Sequence, residues 1–321
     1  MQEYPFISIC IPSYKRADFL RRLFDSIAIQ DYKDFEVIVT DDSPTEDVYD
    51  LCKKFERSFT IKYFKNMDAK GTPENWNEGI RKASGKWIKL MHDDDWFSRS
   101  DSLSIFADRA LNAKNGFIFC TYHNYFLDKQ KIELMKPSFW RLFFIKRNPT
   151  ALISKNIIGP PSVTMHLNDG CYNYDKRLKW LVDIDFYIQR FSIDKIIHIK
   201  TPLINVGMSY HQVTATCFGI ADVEVPEYFC FFSKRGFPSL KSILVYDAVW
   251  RMLRNLNLTD YEKLVSYSNT NWPRIILEMI ADVNRFPRKI IEIGVISKLL
   301  MLWSYLRNIR RIRNENICSN N

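Results

Sequence analysis

Short apolar runs alternate with amphipathic stretches through the first third of the chain. "FISICIPSY" is a nearly unbroken apolar run bounded by Pro12, the pattern of a strand buried on both faces. "DFLRRLFDSIAIQ" follows, and Leu20, Leu23, Phe24 and Ile27 fall on one helical face. "FEVIVTDDS" and "FTIKYFKN" predict further strands, with the helical "VYDLCKKFE" between them. "PENWNEGIRKAS" predicts a helix opened by Pro73 and closed near Gly85, and "KWIKLM" a fourth strand. Strands alternating with helices predict a parallel sheet with helices on both faces. After about residue 117 the pattern is weaker. "GFIFCTYHNYFL" predicts a strand, "NIIGPPSVTMH" a loop entering one, and "KRLKWLVDIDFYIQRF" a helix. "DKIIHIKTPLINVGMSYH" predicts a strand pair, and from about Ser239 the chain reads as helices to its end.

Three predicted strands end on polar clusters: Pro12-Ser13-Tyr14, Asp41-Asp42, and His92-Asp93-Asp94-Asp95. In a parallel sheet these ends share one edge, where ligands bind. The plainer alternative is that Asp and Ser favour loops and caps, which explains one such cluster more easily than three. Adjacent carboxylates repel one another and resist leaving water. A hard divalent cation with a diphosphate completing its shell removes that repulsion.

Composition adds two constraints. The formal net charge is +9 over 321 residues. Much of the excess lies in Arg285, Arg288, Lys289, Lys298, Arg307, Arg310, Arg311 and Arg313, against the single acid Glu292. An anionic surface suits such a segment, and so does a solvated helix face. The seven cysteines show no CxxC pair and no metal spacing, the pattern of free thiols in a reducing compartment. No signal peptide is expected, and no run of ~20 apolar residues suits a membrane span. The expected location is cytoplasmic, at the inner face of the cell membrane.

"ISICIPSYKR…FL", "FEVIVTDDS", "GTPENWNEGIRKASGKWIKLMHDDDW" and "LVDIDFYIQR" occur in the order seen in family-two glycosyltransferases. Over roughly residues 6 to 215 the chain resembles these inverting enzymes of the GT-A fold. The resemblance implies an α/β fold, with a mostly parallel sheet flanked by helices and a C-terminal helical extension. Residues 1–238 would form the catalytic domain, with a nucleotide-sugar half to about 116 and an acceptor half over 117–238. Residues 239–321 would form a basic helical region suited to a membrane surface. It implies a nucleotide-diphospho-sugar donor, with UDP preferred, an acceptor hydroxyl on a glycan or lipid-linked glycan, and Mn²⁺ or Mg²⁺. No nucleic acid partner is expected.

Carried over by position, Pro12, Ser13, Tyr14 and Arg16 resemble the loop that holds the nucleotide. Asp41 and Asp42 match the pair that receives the base, with a turn at Ser43-Pro44 as the plainer role for Asp42. Asn75 and Asn77 fall in the helix that backs the nucleotide, and Asp93 sits beside the metal motif. Asp94 and Asp95 are the expected metal ligands. The motif's first acid aligns with His92, so Asp93 or Asp95 substitutes for it or His92 supplies a nitrogen; for His92 itself a satisfied polar role is expected ahead of ligation. Asp183 matches the catalytic base, although Val182 replaces the usual preceding Glu, and helix capping is its plainer role. Asp185, nearer the apolar face, is expected to be structural. His211 falls where relatives carry a residue near the diphosphate. "IGPPSV", with Ser162, resembles the loop that shapes the acceptor cleft. A metal-dependent nucleotidyltransferase is disfavoured by the lack of glycine in "PSYKRADF". A non-catalytic nucleotide-sugar-binding protein of the same fold is kept open by His92 and Val182.

Overall fold

The computed structural model describes residues 4–113, 115–170, 173–208 and 217–314. The chain forms two compact units. One comprises Met1–Lys146, Ile157–Lys176 and Asp185–Gln212; the other comprises Arg147–Asn156, Arg177–Ile184 and Val213–Asn321. Compactness therefore groups two short segments, together with residues 213–238, with the C-terminal helices.

The first unit is built on a nine-stranded sheet among the described residues, in the order β3-β2-β1-β4-β8-β6-β9-β5, with β7 paired to β6. β1 (Ile7–Ser13), β2 (Phe35–Asp41), β3 (Ile61–Lys65) and β4 (Trp87–Leu90) are the four strands read from the pattern, and they are parallel. Helices α1 (Ala17–Ala28), α2 (Asp47–Phe55) and α3 (Glu74–Lys82) connect them. On α1, Leu20, Leu23, Phe24 and Ile27 are fully buried, as their spacing predicts. β1 lies between β2 and β4, so the chain leaves β1 in one direction and returns on its other side. That reversal opens a crevice beyond the carboxyl ends of β1 and β4.

The remainder of the sheet is mixed. β8 (Thr164–Leu167) runs antiparallel to β4 and to β6 (Phe117–Phe126). β5 (Trp96–Phe97) runs antiparallel to β9, and β7 (Lys131–Met135) antiparallel to β6. The expected strand pair is instead one strand, β9 (Ile196–Met208), parallel to β6. Pro202 suggests a turn there, but it sits where the β6–β9 register shifts, around Cys120–Tyr122. A residue without an N–H is tolerated at such an irregularity. The pattern also left α4 (Ser102–Leu111) and α5 (Phe139–Arg147) unassigned, before the helix α6 (Val182–Ile193) that it did anticipate.

The second unit contains α7 (Ala221–Arg235), α8 (Ile243–Asn255), α9 (Tyr261–Ser268), α10 (Arg274–Asn284), α11 (Arg288–Ile291) and α12 (Gly294–Asn314). Helix starts earlier than Ser239. Pro226 obscures α7, but it lies in the second turn of a helix that buries Val225, Tyr228, Phe231 and Phe232. Tyr246, Val249, Trp250 and Leu253 of α8 and Ile275, Ile276 and Met279 of α10 supply the core. No helix among the described residues is long and apolar enough to cross a membrane.

Candidate active site

The crevice is bounded on one side by the loop after β1. Ser13 is buried, Pro12 is half-buried, and the Tyr14 ring is exposed with Lys15 Nζ 4.8 Å from its centroid. Lys15 takes a left-handed φ of 57°, which turns its N–H to the Ser43 hydroxyl at 2.8 Å. Arg16 reaches the other side of the crevice, with Nη1 3.2 Å from Asp94 Oδ2 and 3.6 Å from Asp93 Oδ1.

The opposite side is the turn after β4. Met91 N–H still follows the sheet, donating to Cys10 O at 2.9 Å. His92 N–H then donates to Ser162 Oγ at 2.9 Å, and Asp95 N–H closes the turn on His92 O at 3.2 Å. Gly207 N–H donates to Asp95 Oδ1 at 3.0 Å. Arg22 lies 3.7 Å above the Trp96 ring and donates to Asp94 O at 2.9 Å. The turn is thus held by Gly207 of β9 at the Asp95 side chain, by Arg22 of α1 at the Asp94 main chain, and by Ser162, whose hydroxyl accepts from His92 N–H.

His92, Asp94 and Asp95 bring one ligand atom each to within 4.8 Å of one another, the one such group among the described residues. His92 stacks at 4.8 Å on Trp76 and its Nε2 is buried with no hydrogen-bond partner. Burial lowers the His92 pKa, the state in which imidazole carries a lone pair. Burial and the Asp94 charge raise Asp95, against hydrogen bonds from Ser162 and Gly207. Burial and Asp94 likewise push Asp93 up to about 7, against Arg16 and the Tyr14 N–H. An orphaned nitrogen beside two carboxylates, in a pocket that opposes negative charge, fits a divalent cation.

Other residues singled out in the sequence form the frame of this crevice. Asp41 is fully buried and accepts from Ser43 N–H at 2.8 Å, Tyr63 OH at 2.7 Å and Lys65 Nζ at 3.3 Å. Asp42 accepts from Asn66 Nδ2 at 2.7 Å, Lys70 N–H at 3.0 Å and Gly71 N–H at 2.8 Å. Its carboxylate therefore shapes the 66–71 loop. Asn75 donates to Thr40 O at 3.1 Å and accepts from Asn66 at 3.0 Å. Asn77 exchanges hydrogen bonds with the Tyr174 main chain at 2.8 and 2.9 Å. Ser162, expected in an acceptor cleft, is buried under the acid turn, and its carbonyl accepts from Lys89 Nζ. Asp185 is buried and accepts from Gln189 at 2.8 Å. His211 lies outside the described residues.

In the second unit, Asp183 opens α6. Asn156 Nδ2 donates to its Oδ2 at 2.8 Å and Ile184 N–H to its Oδ1 at 2.8 Å. Burial pushes its pKa up to about 6 against these two donors, and the Glu227 charge adds to the rise. Glu227, on α7, accepts from the main-chain N–H groups of Lys179, Trp180 and Leu181 at 2.7 to 3.1 Å. It anchors the chain just ahead of Asp183, a role with no signature in the sequence. Lys89 was also missed, although a lysine inside "KWIKLM" is a visible anomaly. It is fully buried and desolvation brings its pKa down to about 7.

Residues 8–166 match the family model described as Glycosyl transferase family 2. Over 93 residues the chain is 36% identical to the GalNAc(5)-diNAcBac-PP-undecaprenol beta-1,3-glucosyltransferase of Campylobacter jejuni, a match covering 28% of this chain and 30% of that protein. The chain thus spans under a third of that relative. The structure resembles S. aureus TarS 1-349 in complex with UDP-GlcNAc, at TM-score 0.63 and 13% identity, covering 96% of this chain and 89% of the other. It also resembles the mannosyltransferase PcManGT of Pyrobaculum calidifontis, in complex with GDP-Man and Mn²⁺. There the TM-score is 0.54 at 12% identity, covering 100% of this chain and 89% of the other. The chain belongs to glycosyltransferase family 2 and has the GT-A fold.

Proposed function

We propose that this member of the family is an inverting transferase that moves a sugar from a nucleotide-diphospho-sugar, with UDP preferred, to a hydroxyl of a lipid-linked glycan. The observation that carries the reading is the convergence of the loop after β1 and the acid turn after β4 at the reversal of strand order. The undecaprenol-linked substrate in the C. jejuni relative's name and the UDP-GlcNAc bound to TarS support the acceptor and donor classes. The C-terminal basic region would meet the anionic membrane face where such an acceptor lies.

In this reading the loop of Pro12, Ser13, Tyr14 and Arg16 receives the nucleotide, backed by Asp41, Asp42, Asn75 and Asn77, and His211 serves the diphosphate. His92, Asp94 and Asp95 would hold Mn²⁺ or Mg²⁺, beside Asp93. Bound there, the ion would supply positive charge against the leaving diphosphate. Arg16, facing the same edge, adds a fixed cation to that task. Asp183 accepts the proton of the attacking hydroxyl, and its raised pKa makes it a better base near neutrality than a solvated aspartate. Asn156 orients that carboxylate.

The test incubates the chain with UDP-sugars, Mn²⁺ and a polyprenyl-diphosphate-linked saccharide, and analyses the product linkage by NMR. An inverted anomeric configuration supports the reading. Metal-dependent donor binding without transfer or donor hydrolysis would favour the non-catalytic alternative.

A further inference from the structure

The hairpin of β6 and β7 together with α5 presents an aromatic surface that the transfer reaction does not use. Phe139, Trp140 and Phe144 are 72%, 66% and 53% exposed, and Phe143 is also exposed. Ile145 is the one buried residue of this helix. The rings pack on one another: Phe139 on Trp140 at 5.4 Å, Trp140 on Phe143 at 6.4 Å, and Phe143 on Phe144 at 5.7 Å. Ile132 and Leu134 of β7 are exposed as well. A helix that turns most of its apolar surface outward leaves a cost that burial elsewhere would recover.

The charges around this patch have one dominant sign. Residues 127–147 carry Lys129, Lys131, Lys136, Arg141, Lys146 and Arg147 against Asp128 and Glu133. Glu133 is already paired with Lys131 at 2.5 Å. A second copy docking here would bring like charges together. An anionic bilayer meets both features at once. Aromatic rings settle at the headgroup level, and the cations find lipid phosphates.

We propose that α5 and the β6–β7 hairpin form an interfacial membrane-binding element of the first unit, which inserts its aromatic rings into an anionic phospholipid surface. The inference is independent of the acceptor assigned above and of the C-terminal basic region.

The test uses the full chain and flotation with two vesicle types, phosphatidylcholine alone and phosphatidylcholine with phosphatidylglycerol. The wild type should bind the anionic vesicles more tightly. Phe139→Ser/Trp140→Ser/Phe144→Ser should weaken that binding about tenfold or more, with circular dichroism and Tm unchanged. Lys136→Gln/Arg141→Gln should remove the preference for phosphatidylglycerol. Bromolipid quenching of tryptophan fluorescence should fall in Trp140→Phe, the readout that places the ring in the bilayer. Unaltered flotation of the triple variant overturns the proposal. So does failure of the wild type to bind either vesicle, or an oligomer that the triple variant dissociates without any change in lipid binding.

Discussion

In the proposed metal site, His92 would decide the choice of ion more than the acids do. An imidazole nitrogen among carboxylates suits a transition ion better than Mg²⁺, which demands oxygen ligands. The wild type should therefore work better with Mn²⁺ than with Mg²⁺. His92→Asp, which restores an all-oxygen set, should narrow or reverse that preference, measured as the ratio of transfer rates with the two ions; an unchanged ratio would remove His92 from the shell. Asp183 carries a second prediction at this scale. A base must be unprotonated, and this carboxyl is raised to about 6. Activity should be flat above that value and fall about tenfold per pH unit below it. Asp183→Asn should lose roughly 10²- to 10⁴-fold in kcat, the usual span for one general base, and should abolish the acidic limb. A limb that survives in the variant belongs to another group. The acids themselves were legible from sequence because three carboxylates after an apolar strand are chemically anomalous. The place of Ser162 beneath them and the hold of Glu227 on the chain before Asp183 were not, because each acts on main chain distant in sequence, 70 residues away for Ser162 and 46 for Glu227 at Leu181.

At the scale of elements, strand ends and turns set the site's geometry. β9 passes so close to the acid turn that a Cβ on Gly207 would overlap the Asp94 carbonyl oxygen. Both are backbone positions, so the turn must move. Gly207→Ala should cost about 1–3 kcal/mol of stability, as overpacking does, and should weaken Mn²⁺-dependent thermal stabilisation by more than that loss alone explains. Equal metal stabilisation in both proteins would show that the turn tolerates displacement. Helix α6 offers a comparable test. Glu227 holds the amides before Asp183 and raises its pKa by charge. Glu227→Gln removes the charge, so the acidic limb should move to lower pH while kcat falls. A purely structural residue would lower activity without moving the limb. The parallel half of the sheet was readable because four buried strands alternate with amphipathic helices. The later half was not, because Pro202 lies inside a strand and Pro226 inside a helix, and both are ordinarily breakers.

For the whole molecule, the question is where its excess positive charge resides and what the C-terminal helix does with it. α12 turns several polar side chains inward and several apolar ones outward. Ser297, Ser304 and Asn308 are buried, whereas Val295, Leu299, Trp303 and Leu306 are exposed. The inward groups, apart from Asn308 Oδ1, are matched within the second unit. Trp250 Nε1 donates to Ser297 Oγ at 3.1 Å, Ser304 Oγ donates to Asp282 Oδ2 at 2.7 Å, and Asn308 Nδ2 reaches the same oxygen at 3.1 Å. Arg307 also binds Asp282. A buried carboxylate with these partners holds the helix in one register, and removing it strands several polar groups. Asp282→Ala should therefore lower stability by roughly 3 kcal/mol, read as a reduced denaturant midpoint. The opposite face predicts a different outcome for the same helix. Leu299→Ser/Leu306→Ser removes apolar surface that is already in water, so the midpoint should hold. If the region binds anionic membrane, that variant should bind vesicles more weakly, and binding by the wild type should fall in 1 M salt, where screening shortens the field to ~3 Å. Packing and membrane contact are then compatible uses of one helix. A loss of stability in the leucine variant equal to that of Asp282→Ala would mean that the outer stripe is covered in solution, and it would assign those leucines to folding instead of to lipid.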